Sequence, residues 1–479
     1  MRLEEVLKGL DYEGVIEDRE VTFITTDSRK VKRNCVFVCL KGNKFDGHSA
    51  AAAAMEKGAS AVVTERRLGL DNEVTVESTR KAMAVLCANY FGNPQKELKL
   101  VAVTGTNGKT TTSSVIKQCL ENMGIRSGLI GSIHSEIGDV EVPAKFTTPE
   151  PWELYALMRS MVNSGCRYLI MEASSQALAQ DRLYGLHFEC GIFSNLTEDH
   201  LDYHKTMENY YQAKKILFIN SDTSIINIDD SYGVRLTREL MPDHNVIPYS
   251  AKYDIEFMAQ NVQFRSSGIT FSIKRGGREH VFRYNVPGKF SVYNALAVTV
   301  TMHALGFDLD TIAEALAKVT GVRGRCEVIY SSDRTVICDF AHTPDALVQI
   351  LSSIKPFAEG RLIALFGCAG DRDAMKRPAM AEAVCKYADM AILTADNPRT
   401  ENPSDIINGI VDIFERSDRP YMVIPDRYYA VIQALDQMKP GDVLLLCGKG
   451  HEDYQVLDGY TIYLDEHSIV RKYFKNKEA

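Results

Sequence analysis

Val101-Ala102-Val103 runs into Thr104-Gly105-Thr106-Asn107-Gly108-Lys109-Thr110-Thr111-Thr112, and apolar residues then recur at Val115, Ile116, Cys119 and Leu120. The order is strand, glycine loop, helix, and no other stretch constrains the fold as much. Such a loop turns successive backbone N–H groups and the positive helix terminus toward a polyphosphate. Lys109 adds a mobile cation, and the Thr110 hydroxyl suits Mg²⁺. The spacing is GxxGKT rather than GxxxxGKT, with Val103 at the position of the first glycine, so the loop is shorter than the usual form. A plain glycine turn entering a helix would not require Lys-Thr in this context. Nucleotide binding by Gly105, Thr106, Asn107, Gly108, Lys109, Thr110 and Thr111 follows, but the motif names no reaction.

The surroundings of this loop predict an α/β chain. Apolar runs at Leu100 to Val103, Tyr168 to Met171, Ile192 to Ser194 and Ile225 to Ile228 alternate with helical patterns at Val115 to Met123 and Trp152 to Val162, which predicts a mostly parallel sheet. Before it, short strands at Val36 to Leu40 and Ala61 to Val63 with an Ala-rich helix from Ser49 to Lys57 predict a small α/β domain. After Arg325 the alternation restarts at Val336 to Cys338, Leu362 to Phe366, Ala391 to Thr394, Met422 to Ile424 and Val443 to Leu446, predicting a second doubly wound, Rossmann-like sheet. Glycine breaks at Phe91-Gly92-Asn93-Pro94 and Thr320-Gly321-Val322-Arg323-Gly324 set the expected domains at residues 1–95, 96–322 and 323–479. A length of 479 residues accommodates about three such domains.

Composition narrows the function. With 55 basic and 63 acidic residues the net charge is −8, so no chain-wide positive field exists to hold nucleic acid. No apolar run approaches the ~20 residues of a membrane span, and the acidic start Met1-Arg2-Leu3-Glu4-Glu5 carries no signal-like block. A cytoplasmic, soluble monomer is expected. The 11 cysteines form no CxxC pair, so neither a zinc framework nor a disulfide set is indicated.

In a parallel sheet the ends of neighbouring strands share an edge with the phosphate loop. Glu172, ending the run from Tyr168, and His200, following Ile192 to Ser194, are therefore candidates near a metal. In the helical pattern Asn209 to Phe218, the i±3, i±4 rule groups Tyr210, Tyr211, Lys214, Leu217 and Phe218, while Lys215 points elsewhere. An inward lysine must find an anion, become neutral or be chemically modified. A neutral amine can capture carbon dioxide as a carbamate, an oxygen ligand suited to Mg²⁺. His200 and His204 also stand at i, i+4, but Leu-Asp-Tyr between them is no HExxH zinc motif.

The strand ends of the last domain carry Asp339-Phe340-Ala341-His342, Gly367 to Asp373 with Arg372, Asp396-Asn397-Pro398-Arg399 and Gly448 to Asp453 with Glu452. Arginine forks for carboxylate, an acceptor for ammonium and glycines permitting close approach make an inventory for a zwitterion. The bland alternative is an Asx turn at Asp396-Asn397-Pro398 with solvated charges around it.

Taken together, Thr104 to Thr111, Glu172-Ala-Ser-Ser, Asn195 to His204, Ala213-Lys214, Asp339-Phe-Ala-His-Thr-Pro-Asp345 and Asp396-Asn-Pro-Arg resemble the Mur ligase family over all three expected domains. More narrowly, the chain resembles the branch that adds the third residue of the peptidoglycan stem peptide. The resemblance implies that Ser28, Thr147, Thr148, Ser174, Gln180 and Arg182 hold a UDP-N-acetylmuramoyl-dipeptide. It implies that Lys109 and Thr110 hold ATP and Mg²⁺, with Asn294, Arg325 and His342 as further nucleotide contacts and Arg325 in a hinge segment. Thr110, Glu172, His200 and a carbamylated Lys214 would be the metal-side groups. Asp396, Asn397, Pro398 and Arg399 form the motif of members that use meso-diaminopimelate, with Arg372, Gly448 and Glu452 as its further contacts. Gln176, Phe146 and Cys326 depart from the family's usual histidine, asparagine and methionine or phenylalanine.

The implied reaction activates a carboxylate with ATP as an acyl phosphate and joins it to an amine, with closure of the last domain about Gly321 to Arg325. Lysine-adding ligase activity, a P-loop kinase releasing a phosphoester and a UDP-sugar-binding regulator are the alternatives. Diaminopimelate is lysine with an extra carboxylate beside the distal amine. Arginines 372 and 399 would go unpaired in a lysine pocket, which buried charge disfavours.

Overall fold

The computed structural model describes residues 1–42 and 45–478. It divides into two compact units, one of residues 1–249 with 300–307, the other of residues 250–299 with 308–479.

The first unit opens with a four-stranded parallel sheet, Phe23–Thr25, Cys35–Val38, Ala61–Thr64 and Glu73–Thr75 in sequential order. The expected Ser49 to Lys57 helix is a 3₁₀ turn, Gly47–Ala50, followed by the α-helix Ala51–Glu56. The helix Thr79–Tyr90 ends at Gly92 and Asn93, both with positive φ, where Arg159 caps the chain through the carbonyls of Phe91 and Gly92 at 2.8 and 2.9 Å. Trp152 packs its indole against Phe23, Tyr90 and Phe91, so this sheet and the next share one apolar core.

The next sheet has eight strands in the order Asn245–Tyr249, Ser221–Asn227, Phe188–Phe193, Lys99–Thr104, Tyr168–Glu172, Ser127–Ile130, His134–Ile137, Val140–Pro143. The first six are mutually parallel, four of them at the expected apolar runs and two, Ser127–Ile130 and Asn245–Tyr249, outside those runs, and the last two add antiparallel. Those two escape sequence reading because they are half-exposed and polar, with no apolar run to mark them. The helix after the phosphate loop begins at Lys109, earlier than the expected Val115, because its polar first turn carries no apolar period.

The second unit holds a three-stranded antiparallel sheet, Gln260–Arg265, Gly268–Arg275 and Arg278–Tyr284, that the expected strands did not include. Its first strand alternates half-buried and exposed positions, so its buried face is thin. The main sheet runs Glu327–Ser331, Thr335–Asp339, Val443–Cys447, Leu362–Phe366, Met390–Leu393, Tyr421–Val423, parallel except for its first strand. The hairpin Tyr454–Leu457 and Tyr460–Tyr463 and the helix Glu466–Glu478 follow. No helix among the described residues is long and apolar enough to cross a membrane, and all 11 cysteines are unpaired.

Candidate functional site

The strand Lys99–Thr104 lies between Phe188–Phe193 and Tyr168–Glu172, so three strand ends meet at the phosphate loop. Gly105 turns there with φ +148°, and a Cβ at this residue would stand 1.9 Å from Ser194 Oγ. The loop is braced by the segment after Phe193. Thr106 N donates to Asn195 O at 2.9 Å, Asn107 N to Asn195 Oδ1 at 2.9 Å, and Ser194 Oγ to Asn107 O at 2.6 Å. Gly108, at φ +86°, precedes the helix, and Thr110 and Thr111 sit half-buried in its first turn. Lys109 Nζ folds back over the loop to the carbonyls of Gly105 and Thr106 at 3.0 and 2.8 Å. These bonds brace the turn with the protein's own groups, which lowers the ordering cost of holding a polyphosphate there.

Glu172 is wholly buried at its strand end. Its carboxylate accepts from Ser132 N at 2.8 Å, Ser132 Oγ at 3.0 Å and Thr110 Oγ1 at 3.1 Å. Ser132 Oγ also lies 3.0 Å from Thr147 Oγ1. Thr148 Oγ1 donates to Glu172 O at 2.7 Å, and Ser174 N donates back to Thr148 Oγ1 at 3.0 Å. Arg182 Nη1 reaches Thr148 O at 2.9 Å, and its other nitrogens hold Gln180 Oε1 and Glu150. Thr110, Thr147, Thr148, Glu172, Ser174, Gln180 and Arg182 thus form one connected network. Glu172 is its hub, and Ser132, which joins Thr147 to it, carries no local sequence pattern that marks it. The exposed Phe146 ring lies 5.3 Å beneath the Arg182 guanidinium, and Gln176 sits in the helix Ser175–Ala179.

Ser28 stands elsewhere in the unit, in a 3₁₀ turn capped by Asp27, whose carboxylate the Arg29 side chain holds down to a pKa of about 2.

Lys214 is 2 % exposed on the helix Met207–Ile219, beside buried Tyr210, Tyr211, Leu217 and Phe218. Its Nζ donates to Gly105 O at 2.9 Å and lies 4.5 Å over the Tyr210 ring. Burial first, and the Lys109 cation second, push its pKa well below that of an ordinary lysine. The Tyr210 hydroxyl, also buried, is pushed up to about 12. His200 precedes the short helix Leu201–His204 in a left-handed conformation, half-exposed, with its ring edge-on to Tyr210 at 6.1 Å. It makes no hydrogen bond to Glu172. His204 is buried and bonds Ser175 Oγ at 2.9 Å, its pKa lowered by burial and then by Lys214, so the two histidines do not form a ligand pair. No group of three or more His, Cys, Asp or Glu side chains poised to hold a metal occurs among the described residues.

In the second unit, Asn294 is nearly buried in the helix Lys289–Ala304. Arg325 lies over the Phe340 ring at 4.9 Å with its Nε buried and unbonded, and His342 Nδ1 is 2.7 Å from Phe340 O. Cys326 is buried, with its N–H on Asp339 Oδ2 at 2.7 Å, and burial raises the Asp339 carboxyl.

The loops after Leu393 and Cys447 converge. Asn397 Oδ1 accepts from Lys449 Nζ at 2.6 Å and Val456 N at 2.9 Å, while its Nδ2 donates to Glu452 Oε2 at 3.0 Å. Lys449, fully buried, also reaches Glu452 Oε2 at 3.2 Å and Tyr454 O at 2.8 Å. Asp396 Oδ1 lies 3.5 Å from that ammonium and is buried without a hydrogen bond. A Cβ at Gly370 would lie 1.8 Å from Pro398 O, so the two loops touch backbone to backbone. Arg399 donates from Nη1 to Gly370 O at 2.7 Å, and Arg372 is exposed in the same loop region. The turn reading of Asp396-Asn397-Pro398 as solvated surface is thereby overturned, since both Asp396 and Asn397 are buried. Lys449 and the ion pair of Arg427 with Glu466 at 2.8 Å were not read from sequence. Lysine between two glycines at a strand end was the available signal for the first.

A braced phosphate loop on a parallel sheet, with a buried carboxylate at the adjacent strand end, defines a P-loop nucleotide-binding protein. Residues 103–302 match the Mur ligase middle domain, 324–450 the Mur ligase glutamate ligase domain and 20–91 the catalytic domain of the Mur ligase family. A Clostridium perfringens protein named UDP-N-acetylmuramoyl-L-alanyl-D-glutamate--2,6-diaminopimelate ligase is 42% identical over 488 residues, with 100% of each chain covered. A Listeria monocytogenes protein of the same name is 39% identical, with 97% of each covered. A solved structure bearing that name superposes at TM-score 0.79 with 31% identity, covering 100% of this chain and 99% of that one. A Thermotoga maritima MurF ligase solved with ADP shares the fold at TM-score 0.60 and 19% identity, over 96% of this chain and 99% of its own. The chain belongs to the Mur ligase family.

Proposed function

We propose that this chain is an ATP-dependent ligase of peptidoglycan synthesis that joins meso-diaminopimelate to UDP-N-acetylmuramoyl-L-alanyl-D-glutamate. The single observation that carries this over a kinase reading is the buried set Asp396, Asn397, Lys449 and Glu452 beside Arg399. A kinase has no use for a built zwitterion site, whereas an amine acceptor with two charged ends requires one. Its full-length likeness to ligases of that name points the same way.

In this reading residues 1–95 hold the uridine nucleotide, with Ser28 in contact. Residues 96–322 hold ATP and the muramoyl-dipeptide, and residues 323–479 hold the amino acid. The D-glutamyl γ-carboxylate attacks the γ-phosphorus of ATP, the bond to the β-phosphate bridging oxygen breaks, and ADP leaves. The diaminopimelate amine then attacks the acyl carbon, loses a proton and expels phosphate. Anionic repulsion dominates the first step, and Lys109 with the backbone N–H groups of residues 105–110 offsets it. Thr147, Thr148, Ser174, Gln180 and Arg182 orient the dipeptide so that its carboxylate faces the phosphate loop.

The oxygen-rich pair of Thr110 and Glu172 fits a hard cation such as Mg²⁺. When bound there, Mg²⁺ supplies charge neutralisation to the phosphates. His200 is the poorer fit, half-exposed and turned toward Tyr210. Lys214, desolvated and shifted toward its neutral amine, is suited to capture carbon dioxide as a carbamate. The enzyme is taken to act as a cytoplasmic monomer.

The test is an ADP-release assay with UDP-muramoyl-dipeptide and a panel of amino acids. Phosphate and ADP released only with diaminopimelate support the reading. Turnover on lysine in its place makes it a lysine-adding ligase, and a stable phosphoester formed without any amino acid makes it a kinase.

A further inference from the structure

We propose that Lys449 is a positioning residue that sets the selectivity of the amino-acid site for a distal zwitterion over a distal ammonium. The inference rests on the ligase reading above and concerns a residue that would not touch the substrate's reacting atoms.

Lys449 is 0 % exposed, on the turn between Gly448 and Gly450. Its three ammonium protons have three acceptors within hydrogen-bond range, Asn397 Oδ1, Glu452 Oε2 and Tyr454 O, at 2.6, 3.2 and 2.8 Å. That count matches its donor capacity, so the group is saturated by protein and leaves no proton for a ligand. Lys449 also fixes the orientation of Asn397. With Oδ1 taken by Lys449 and Val456 N, the amide must direct Nδ2 at Glu452. One oxygen of Glu452 is thus consumed by two donors.

Arg427 anchors the roots of the same loops. Its Nη1 and Nη2 reach the carbonyls of Ala395 and Cys447 at 3.3 and 2.8 Å, immediately before Asp396 and Gly448. The loops are held at their roots by one cation and cross-linked beyond them by another.

Charge decides the selectivity. Asp396 and Glu452 bring two carboxylates to a nearly buried place, and Lys449 cancels one. With Arg399 three residues after Asp396 and Arg372 two residues after Gly370, whose backbone meets Pro398, the balance is not acidic, so a lone ammonium gains little while a carboxylate beside it gains a guanidinium. Without Lys449 the surplus carboxylate would attract lysine and repel the distal carboxylate of diaminopimelate. Burial pushes the Lys449 pKa downward, but the Asp396 and Glu452 carboxylates oppose that shift.

The experiment compares Lys449→Gln, which removes the charge but keeps a donor, with Lys449→Met, which removes both. The full-length enzyme is assayed on diaminopimelate and on lysine. KM for diaminopimelate is expected to rise about ten-fold or more in the Met variant and less in the Gln variant. KM for ATP should stay within about two-fold, and the preference for diaminopimelate over lysine should fall in both. Direct calorimetric binding of diaminopimelate gives a readout independent of turnover. A folded Gln or Met variant with unchanged KM and unchanged preference overturns the inference. Unfolding of both variants overturns it too, by making the residue structural. Absence of diaminopimelate turnover in the wild type overturns the ligase reading itself, a result read before any variant is compared.

Discussion

Lys109 and Lys214 donate to the same acceptor, the carbonyl of Gly105, at 3.0 and 2.9 Å. One lysine comes from the loop's own helix and the other from a helix about a hundred residues later. The loop lysine remains half-exposed, while the second is buried and carries the penalty. Two like charges at one oxygen, one of them desolvated, favour loss of a proton from Lys214 rather than Lys109. The arrangement leaves the loop lysine as the cation of the pair and shifts the other toward its neutral amine.

Lys214 gives a stability signature with a definite sign. Its folded pKa lies below the ordinary 10.5, so the folded state binds fewer protons than the unfolded state across that window. Stability of the wild type therefore rises with pH from its depressed folded value up to about 10.5 and is lost as pH falls. Lys214→Met should melt higher than the wild type at neutral pH in carbon-dioxide-free buffer, with the gap closing as pH approaches 10. A gap independent of pH would show that the lysine is not strained by burial. In ¹³C-bicarbonate, a carbamate resonance present in the wild type and missing in Lys214→Met is expected, together with loss of ligase activity in the variant.

Glu172 and Ser132 make a second test. Glu172→Ala removes the acceptor for Ser132 N, Ser132 Oγ and Thr110 Oγ1 at once. Loss of a buried acceptor costs about 1–3 kcal/mol, read as a lower unfolding midpoint in urea. Activity should fall by at least about 100-fold, because the Thr110 side of the phosphate site loses its partner. Ser132→Ala keeps the backbone donor and should cost less on both measures.

Much of this was legible from residues alone, and the limits follow from range. The parallel strands announce themselves as apolar runs because both their faces are covered. Lys214 sits where the helical period of Tyr210, Leu217 and Phe218 puts it, since a face is a local property. Ser132, by contrast, reaches Glu172 across 40 residues, and Arg427 reaches Glu466 across 39. No local period encodes such pairs. The strands Gln260–Arg265 and Arg278–Tyr284 escape for another reason, as their many polar residues resemble loop.

Gly105 predicts a partial rescue. Gly105→Ala places a Cβ 1.9 Å from Ser194 Oγ and 3.1 Å from the N and O of Asn195, at a φ of +148° that side chains rarely adopt. ATP affinity should fall by at least about ten-fold, corresponding to 1.4 kcal/mol. Adding Ser194→Ala removes the hydroxyl but neither the backbone contacts nor the strained φ, so nucleotide titration should recover only part of the loss. Full recovery would place the whole effect on the hydroxyl.

Arg427 and Glu466 are 0 % and 1 % exposed in their side chains, joined at 2.8 Å, and the pair ties the start of the last helix to the roots of the loops that begin at Asp396 and Gly448. Removing one partner strands a buried charge, which costs about 3–5 kcal/mol, whereas removing both leaves an apolar contact. Arg427→Met and Glu466→Met alone should each lower the urea midpoint strongly, and the double variant should be more stable than either single one. The arginine has a second task that the glutamate lacks, because its Nη groups also satisfy the carbonyls of Ala395 and Cys447. The double variant should therefore recover only part of the stability, since those two buried carbonyls lose their donor, while retaining a raised KM for the amino acid. Recovery of both together would mean that Arg427 serves only its ion pair.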